Sequence, residues 1–192
     1  MADEYFDVVN EDNVVVRQEL RSVVHRTGLW HRGMNIFLFT PDGKLLVQKR
    51  SKDKDTFPSA LDCSVSEHVK AGEEYAQTAV RGLREELGIE GIELRPLIEF
   101  SMPYGTNDNE ISQMFEGTVD PNTVRFDPVE IQQISYHTHD ELLAMMNTRA
   151  VPFSRWFEQL LLWYLDKPSD VRVRKIFNPK SHVWRLSTGD FE

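Results

Sequence analysis

Between residues 67 and 89, EHVKAGEEYAQTAVRGLREELGI, the apolar positions Ala76, Ala79, Val80, Leu83 and Leu87 recur at intervals of three and four. That spacing lines one face of a helix, which opens after Gly72-Glu73 and is closed by Gly88 in the manner of a C′ glycine. The opposite face carries Arg81, Arg84, Glu85 and Glu86. The rest of the chain reads mainly as strands. Residues 5–9 and 14–16 are β-prone around a polar turn at 10–13, and residues 19–25 can form two helical turns ending at Gly28. Residues 33–40 predict a strand, 41–43 a turn, and 44–50 its hairpin partner. In that partner Leu45, Leu46 and Val47 are consecutive, so it is expected to be buried on both faces.

Further strands are predicted at 92–100, 110–119 and 130–136. The stretch 101–109 between the first two, with Pro103 and Gly105, reads as a loop bordering a pocket. Tyr104 in it is either a ring-stacking residue or a loop anchor. Residues 120–122 make a turn. Thr138 followed by Glu141 is a capping box that starts a helix over 142–146. Pro152 opens a last helix over 154–166, apolar on more than one face, which predicts burial in the core or else a homodimer contact. Beyond 168, VRVRKIF and HVWRL are β-prone and predict an added hairpin or a partner-binding arm.

The chain of 192 residues, 40% hydrophobic, is long enough for one well-buried core. Its formal net charge of −9 argues against general binding to a nucleic-acid backbone but leaves room for a small phosphorylated ligand held by a local basic cluster. The single cysteine, Cys63, excludes an intramolecular disulfide. The start, MADEYFDVVNEDN, has no apolar run, and no stretch is long and apolar enough to cross a membrane, so a cytoplasmic protein is expected.

Two features carry candidate chemistry. Glu85 and Glu86, with Arg81 one turn back, can hold a hard divalent cation through oxygen; the plain alternative is a solvated face with an Arg81–Glu85 pair at i,i+4. Lys49, Arg50, Lys52 and Lys54 form a basic cluster before Phe57-Pro58. They can grip a diphosphate, Arg as a fork and Lys as a point charge, or form an ordinary solvated loop, since Asp53 and Asp55 alternate with them.

The spacing in the 67–89 segment resembles the Nudix box: Gly, five residues, Glu, seven residues, then Arg-Glu-apolar-x-Glu-Glu-x-Gly-apolar. Glu73, Arg81, Leu83, Glu85, Glu86, Gly88 and Ile89 fill seven of the nine fixed positions; Glu67 stands where the first Gly belongs and Gly82 where the first Glu of the metal cluster belongs. Gly82 removes one ligand, so the metal site is weaker or other groups complete it, with Glu67 as the first suspect. The run from His31-Arg32 through PDGKLLVQKR and FPSALD is similar to the isopentenyl-diphosphate-isomerase-like branch, over roughly residues 3–165. In the isomerases histidines and two nearby carboxylates bind a divalent metal; His31, His68, Asp108 and Glu110 stand at those places, and His25 more loosely. Their acid/base cysteine falls at Ser66, and Cys63, three residues upstream, would on a strand point to the opposite face.

The resemblance implies an α/β (α+β) fold, the Nudix α/β/α sandwich with a mixed central sheet. It implies a single domain over 1–168, with a strand/helix extension at 1–30 and a C-terminal extension at 169–192. The implied activity is hydrolysis of a diphosphate linkage in a nucleoside diphosphate derivative or similar X-diphosphate with Mg²⁺ or Mn²⁺. Glu85, Glu86, Arg81 and Glu130 are the catalytic candidates, with Glu67, Glu86 and Glu130 competing as base. Glu85, Glu86, Glu67, His68 and Glu110 are the metal candidates, and Arg50, Lys54 and Lys49 the substrate candidates. A small phosphorylated substrate is the expected partner, with no nucleic acid and no membrane. A prenyl diphosphate isomerase and a non-catalytic diphosphate sensor are the alternatives.

Overall fold

A computed structural model describes residues 3–105, 108–177 and 184–185. In chain order the elements are β1 (Tyr5–Val9), β2 (Val15–Leu20), α1 (Arg21–Thr27), β3 (His31–Phe39), β4 (Leu45–Arg50), β5 (Leu61–Asp62), β6 (Val65–His68), α2 (Tyr75–Leu87), β7 (Glu93–Gly105), β8 (Asp108–Thr118), β9 (Ile131–His137), α3 (His139–Thr148), α4 (Arg155–Tyr164), β10 (Arg172–Ile176) and β11 (Trp184–Arg185).

Alternation along β3 divides the core. Met34, Ile36 and Leu38 face α2, where they meet Ala79, Leu83 and Leu87. Phe37 faces the other way, into a cluster with Leu142 of α3 and Phe157, Leu160 and Leu161 of α4. Helices therefore cover both faces of the sheet. The sheet is mixed: β3 runs parallel to β8 and antiparallel to β4 and β6, and β4 pairs with β5 and β9. On β4, Leu45, Leu46, Val47 and Gln48 are all buried, as the unbroken apolar run predicts. The last helix packs Phe157, Leu160 and Leu161 into the core and leaves its remaining residues half-buried. β1 and β2 form a separate two-stranded sheet, whose Phe6 and Val8 join Val24 of α1 in a small third cluster.

The local signals hold at most helix ends. Gly88 has φ +63 at the end of α2, a left-handed conformation that costs glycine little. Thr138 and Glu141 complete their capping box. Three expectations need correction. The stretch 101–105 is strand, since β7 continues to Gly105 and β8 begins at Asp108. The prolines mislead there because β7 accommodates them at register shifts, between Pro96 and Ile98 and between Pro103 and Gly105. Tyr104 is accordingly a buried strand residue whose hydroxyl meets Ser112 Oγ at 3.2 Å. The tail pieces do not pair with each other; β10 and β11 both pair with β7, and β10 forms an exposed edge of the central sheet. At the start of the chain, β2 runs to Leu20 and pushes the first helix to Arg21–Thr27. Among the described residues no helix is long and apolar enough to cross a membrane.

Candidate active site and histidine cluster

Strand β6 sits between two groups of polar side chains and sends alternate residues to each. Val65 faces α2, and so does Glu67, whose Cγ lies over Gly82. Arg81 of α2 gathers the carboxylates on this side. Its Nε and Nη2 form a fork on Glu73, at 3.0 and 3.1 Å, while Nη1 reaches Glu67 and Glu85, each at 3.3 Å. Nη2 also donates to the His68 carbonyl at 3.0 Å, which ties the helix to β6 through its backbone. Burial opposes ionisation of Glu73, yet the Arg81 fork holds its carboxyl below the usual range.

Glu86 points inward one residue further. It is 6% exposed, and its Oε2 accepts a hydrogen bond from Gln48 Nε2 of β4 at 3.1 Å. Burial, and after it the charge of Glu67, raises the Glu86 carboxyl well above the ordinary value; Lys54 and Gln48 pull the other way. Glu85 stays half-exposed at the rim. Glu130, just before β9, pairs with Lys54 from the loop after β4. Burial and the nearby Arg50 lower the Lys54 ammonium from its ordinary value.

On the far side of β6 lies a second constellation. The parallel register of β3 and β8 sets His31 opposite Glu110, and the antiparallel register of β3 and β6 sets Gly33 opposite His68. Gly33 is glycine for space: a Cβ there would lie 2.1 Å from Glu110 Oε2. α1 adds His25, so ligand atoms of His25, His31 and His68 all fall within 4.8 Å of one another. Phe6 of β1 stacks on both His31 and His68, with centroids at 5.5 and 5.0 Å. Glu110 Oε1 stands 3.3 Å from His68 Nε2 and 3.7 Å from His31 Nε2. His31 Nε2 is buried and makes no hydrogen bond. A buried imidazole nitrogen of that kind, with two more imidazoles and a carboxylate around it, fits a divalent metal of borderline softness.

The charges in this cluster have a measurable consequence. Burial depresses His31 from 6.5 to about 4, against the pull of Glu110. The unfolded chain therefore binds this proton first, and the metal-free protein should lose stability as pH falls from 6.5 towards 4, by up to about 3 kcal/mol. Glu110 works in the same direction lower down: burial raises it, but the His68 hydrogen bond and charge win and hold it at about 2, so its contribution disappears from 4.5 downwards. His68 has the opposite sign. Burial lowers it, Glu110 outweighs that and raises it above 6.5, so its contribution is complete below 6.5 and is lost as pH rises through the folded value. Thermal melts in chelator from pH 4 to 8 should show the His31 slope, and His31→Gln should flatten it. A slope unchanged in His31→Gln would contradict the assignment.

A buried carboxylate organises the sheet face under α4. Asp62 of β5 is fully buried. Its Oδ1 accepts from Cys63 N at 2.7 Å, Ser154 Oγ at 2.9 Å, Trp156 Nε1 at 2.5 Å and Ser66 Oγ at 3.3 Å, and its Oδ2 from Arg50 Nη1 at 2.8 Å. Arg50 also lies over the Trp156 ring at 5.2 Å. Ser66 Oγ and Cys63 Sγ both reach Asn35 Oδ1, at 3.0 and 3.7 Å. The expectation that Cys63 would face away from position 66 therefore fails. The strand breaks between Asp62 and Val65, so alternation does not carry across residues 63 and 64.

The expected metal set thus divides. Glu67, Glu85 and Glu86 stay together with Arg81, and Glu130 and Lys54 adjoin them, but His68 and Glu110 belong with His25 and His31 on the other side of β6. Arg50 is tied to Asp62, and Lys49 is half-buried on β4. The Asp108 side chain lies outside what the structure describes. Asp62 and Gln48 escaped the sequence reading, although each is a polar residue inside an apolar strand stretch, the pattern that signals a buried partner.

Known proteins place this geometry. The NUDIX domain model matches residues 29–157. A Nudix hydrolase of Deinococcus radiodurans is 36% identical over 146 residues, 75% of this chain and 84% of the relative. The uncharacterized Nudix hydrolase YfcD of Escherichia coli K12 is 37% identical over 106 residues, 55% of this chain and 57% of that protein, so the match spans little more than half of it. The crystal structure of DR0079 from Deinococcus radiodurans aligns at 35% identity with a TM-score of 0.72, covering 82% of this chain and 97% of that one. The chain therefore belongs to the Nudix family of hydrolases.

Proposed function

We propose that this Nudix hydrolase cleaves the diphosphate linkage of a nucleoside diphosphate derivative, or of a similar X-diphosphate, with Mg²⁺ or Mn²⁺. The observation that supports this best is the arrangement around Arg81, whose single guanidinium ties Glu67, Glu73 and Glu85 together beside the buried Glu86. Glu67, Glu85 and Glu86 would hold the cation, and their oxygens suit Mg²⁺. The cation would offset phosphate charge and acidify a bound water. Arg81 is a positioning residue, since its fork fixes Glu73 and its remaining donors orient the metal carboxylates. Lys54 is the phosphate-binding group nearest the carboxylates, with Arg50, held by Asp62, and Lys49, half-buried on β4, as further candidates. Glu130, freed when Lys54 turns to phosphate, would take the proton of the attacking water. Glu86, with its raised carboxyl, is the second candidate base.

The test is a turnover screen with Mg²⁺ and Mn²⁺ over nucleoside di- and triphosphates, sugar nucleotides, dinucleotides and prenyl diphosphates. Metal-dependent release of a phosphate or monophosphate product supports the hydrolase. Failure of every substrate, with a ligand still raising the melting temperature, overturns it in favour of a sensor. A second reading, isomerisation of prenyl diphosphates, draws on the His25, His31, His68 and Glu110 cluster. Ser66 weighs against it, as does Cys63, whose thiol burial pushes well up and which has no exposed surface. Conversion of a prenyl diphosphate without phosphate release would decide for it.

A further inference from the structure

We propose that Glu67 supplies, from strand β6, the metal-binding carboxylate that the Nudix pattern places on the helix at position 82. This rests on the hydrolase reading above and deepens it. The two departures in the 67–89 segment are complementary: the pattern asks for Gly at 67 and Glu at 82, and the chain has Glu67 and Gly82. In the fold those two positions touch. An ideal Cβ built on Gly82 would lie 2.8 Å from Val65 Cγ1, 3.2 Å from Glu67 Cγ and 3.5 Å from Met34 Cε. A side chain at 82 would force the Val65 and Glu67 side chains aside, because they occupy that volume. The exchange therefore moves a carboxylate across the helix–strand contact.

Its new position keeps it in the same electrostatic unit. Glu67 accepts from Arg81 Nη1 at 3.3 Å, the nitrogen that also reaches Glu85 at 3.3 Å. Glu86 stands one helical turn beyond Gly82, the position that Glu67 Cγ overlies. Glu86 is 6% exposed, and the hydrogen bond from the neutral Gln48 amide is the one its carboxylate accepts among the described residues. A buried carboxylate whose hydrogen-bond donor is a neutral amide keeps a charge that a divalent cation would relieve. Alternation on β6 also assigns Glu67 to this side alone, since its neighbour His68 faces Glu110. The bland alternative makes Glu67 only a surface partner of Arg81, and that alternative predicts metal binding indifferent to its charge.

The experiment is calorimetric titration of Mg²⁺ into the full-length protein at pH 8, without substrate. Mg²⁺ is used because its preference for oxygen separates the carboxylate site from the histidine cluster. Glu67→Gln, which keeps the shape and removes the charge, should weaken Mg²⁺ binding at least about tenfold, as should Glu67→Gly. The exchange variant Glu67→Gly with Gly82→Glu, combined with Val65→Ala to clear the 2.8 Å contact at position 82, should recover binding to within about threefold of Val65→Ala alone. Equal Mg²⁺ affinity in Glu67→Gln and the starting protein overturns the proposal, whether or not the exchange variant folds. Should Glu86→Gln lose Mg²⁺ while Glu67→Gln retains it, the relocation fails and the hydrolase reading survives. A starting protein that binds no Mg²⁺ overturns the proposal, and the hydrolase reading then stands or falls on the turnover screen.

Discussion

Glu86→Gln is expected to lose metal-dependent hydrolysis by about 10³-fold and, at the same time, to melt higher than the starting protein in the absence of metal. The two effects have one cause. Glu86 is buried beside Glu67, and its carboxyl is raised well above the ordinary value, first by burial and then by that neighbour. A carboxyl raised on folding contributes most below its ordinary value of 4.5, and the contribution is lost as pH rises towards the folded value. Above its ordinary value the metal-free protein therefore progressively loses this contribution, whereas glutamine keeps the Gln48 contact and does not titrate. Each kcal/mol recovered moves the melting temperature by about 2–4 °C in a chain of this size. With Mg²⁺ present the order should reverse, because only Glu86 offers the ligand. Melting curves with chelator and with Mg²⁺, beside turnover on the best substrate, test both signs. A variant that melts lower without metal, or that keeps its turnover, would falsify this account of Glu86.

Asp62→Ala should produce the largest loss of stability, about 3–5 kcal/mol, read as a fall in melting temperature of the order of 10 °C. The substitution removes the acceptor shared by Cys63 N, Ser66, Ser154, Trp156 and Arg50. It strands the Arg50 guanidinium, whose side chain is 11% exposed, beside the Trp156 ring. Asp62→Asn retains acceptor capacity at one oxygen and should fall between the two. Trp156 fluorescence should shift in Asp62→Ala because the indole loses its hydrogen-bond acceptor. A melting temperature within about 2 °C of the starting protein would show that the five donors find other partners, and that each is worth far less than a typical buried bond.

Histidine placement shows where sequence reading stops. His25 stands six residues before His31, and His68 lies 37 residues beyond it. Nothing in that spacing says that α1 folds back to bring the first ring within 4.9 Å of the second, or that Phe6 stacks against His31 and His68. The grouping of His68 and Glu110 with the carboxylate site has the same origin. In sequence Glu67 and His68 are neighbours; on a strand they face opposite sides of the sheet. Likewise the basic run before Phe57 reads as a phosphate grip, yet Arg50 lies against Asp62, twelve residues on.

By itself the sequence determined the features that depend on short-range periodicity and local chemistry. The amphipathic helix with its Gly88 end, the buried β4, the capped helix at Thr138, and the run of Glu73, Arg81, Glu85 and Glu86 that marks the family all follow from residues within a few turns of one another. Only the tertiary structure decided that residues 101–105 are strand, that Cys63 and Ser66 meet at Asn35, that Asp62 gathers five donors, and that Glu67 lies over Gly82. The reason is range. Helix faces and caps are fixed by neighbours three or four positions away, whereas a strand break, a β-bulge at a proline or an exchange across a helix–strand contact depends on what another segment of chain brings alongside.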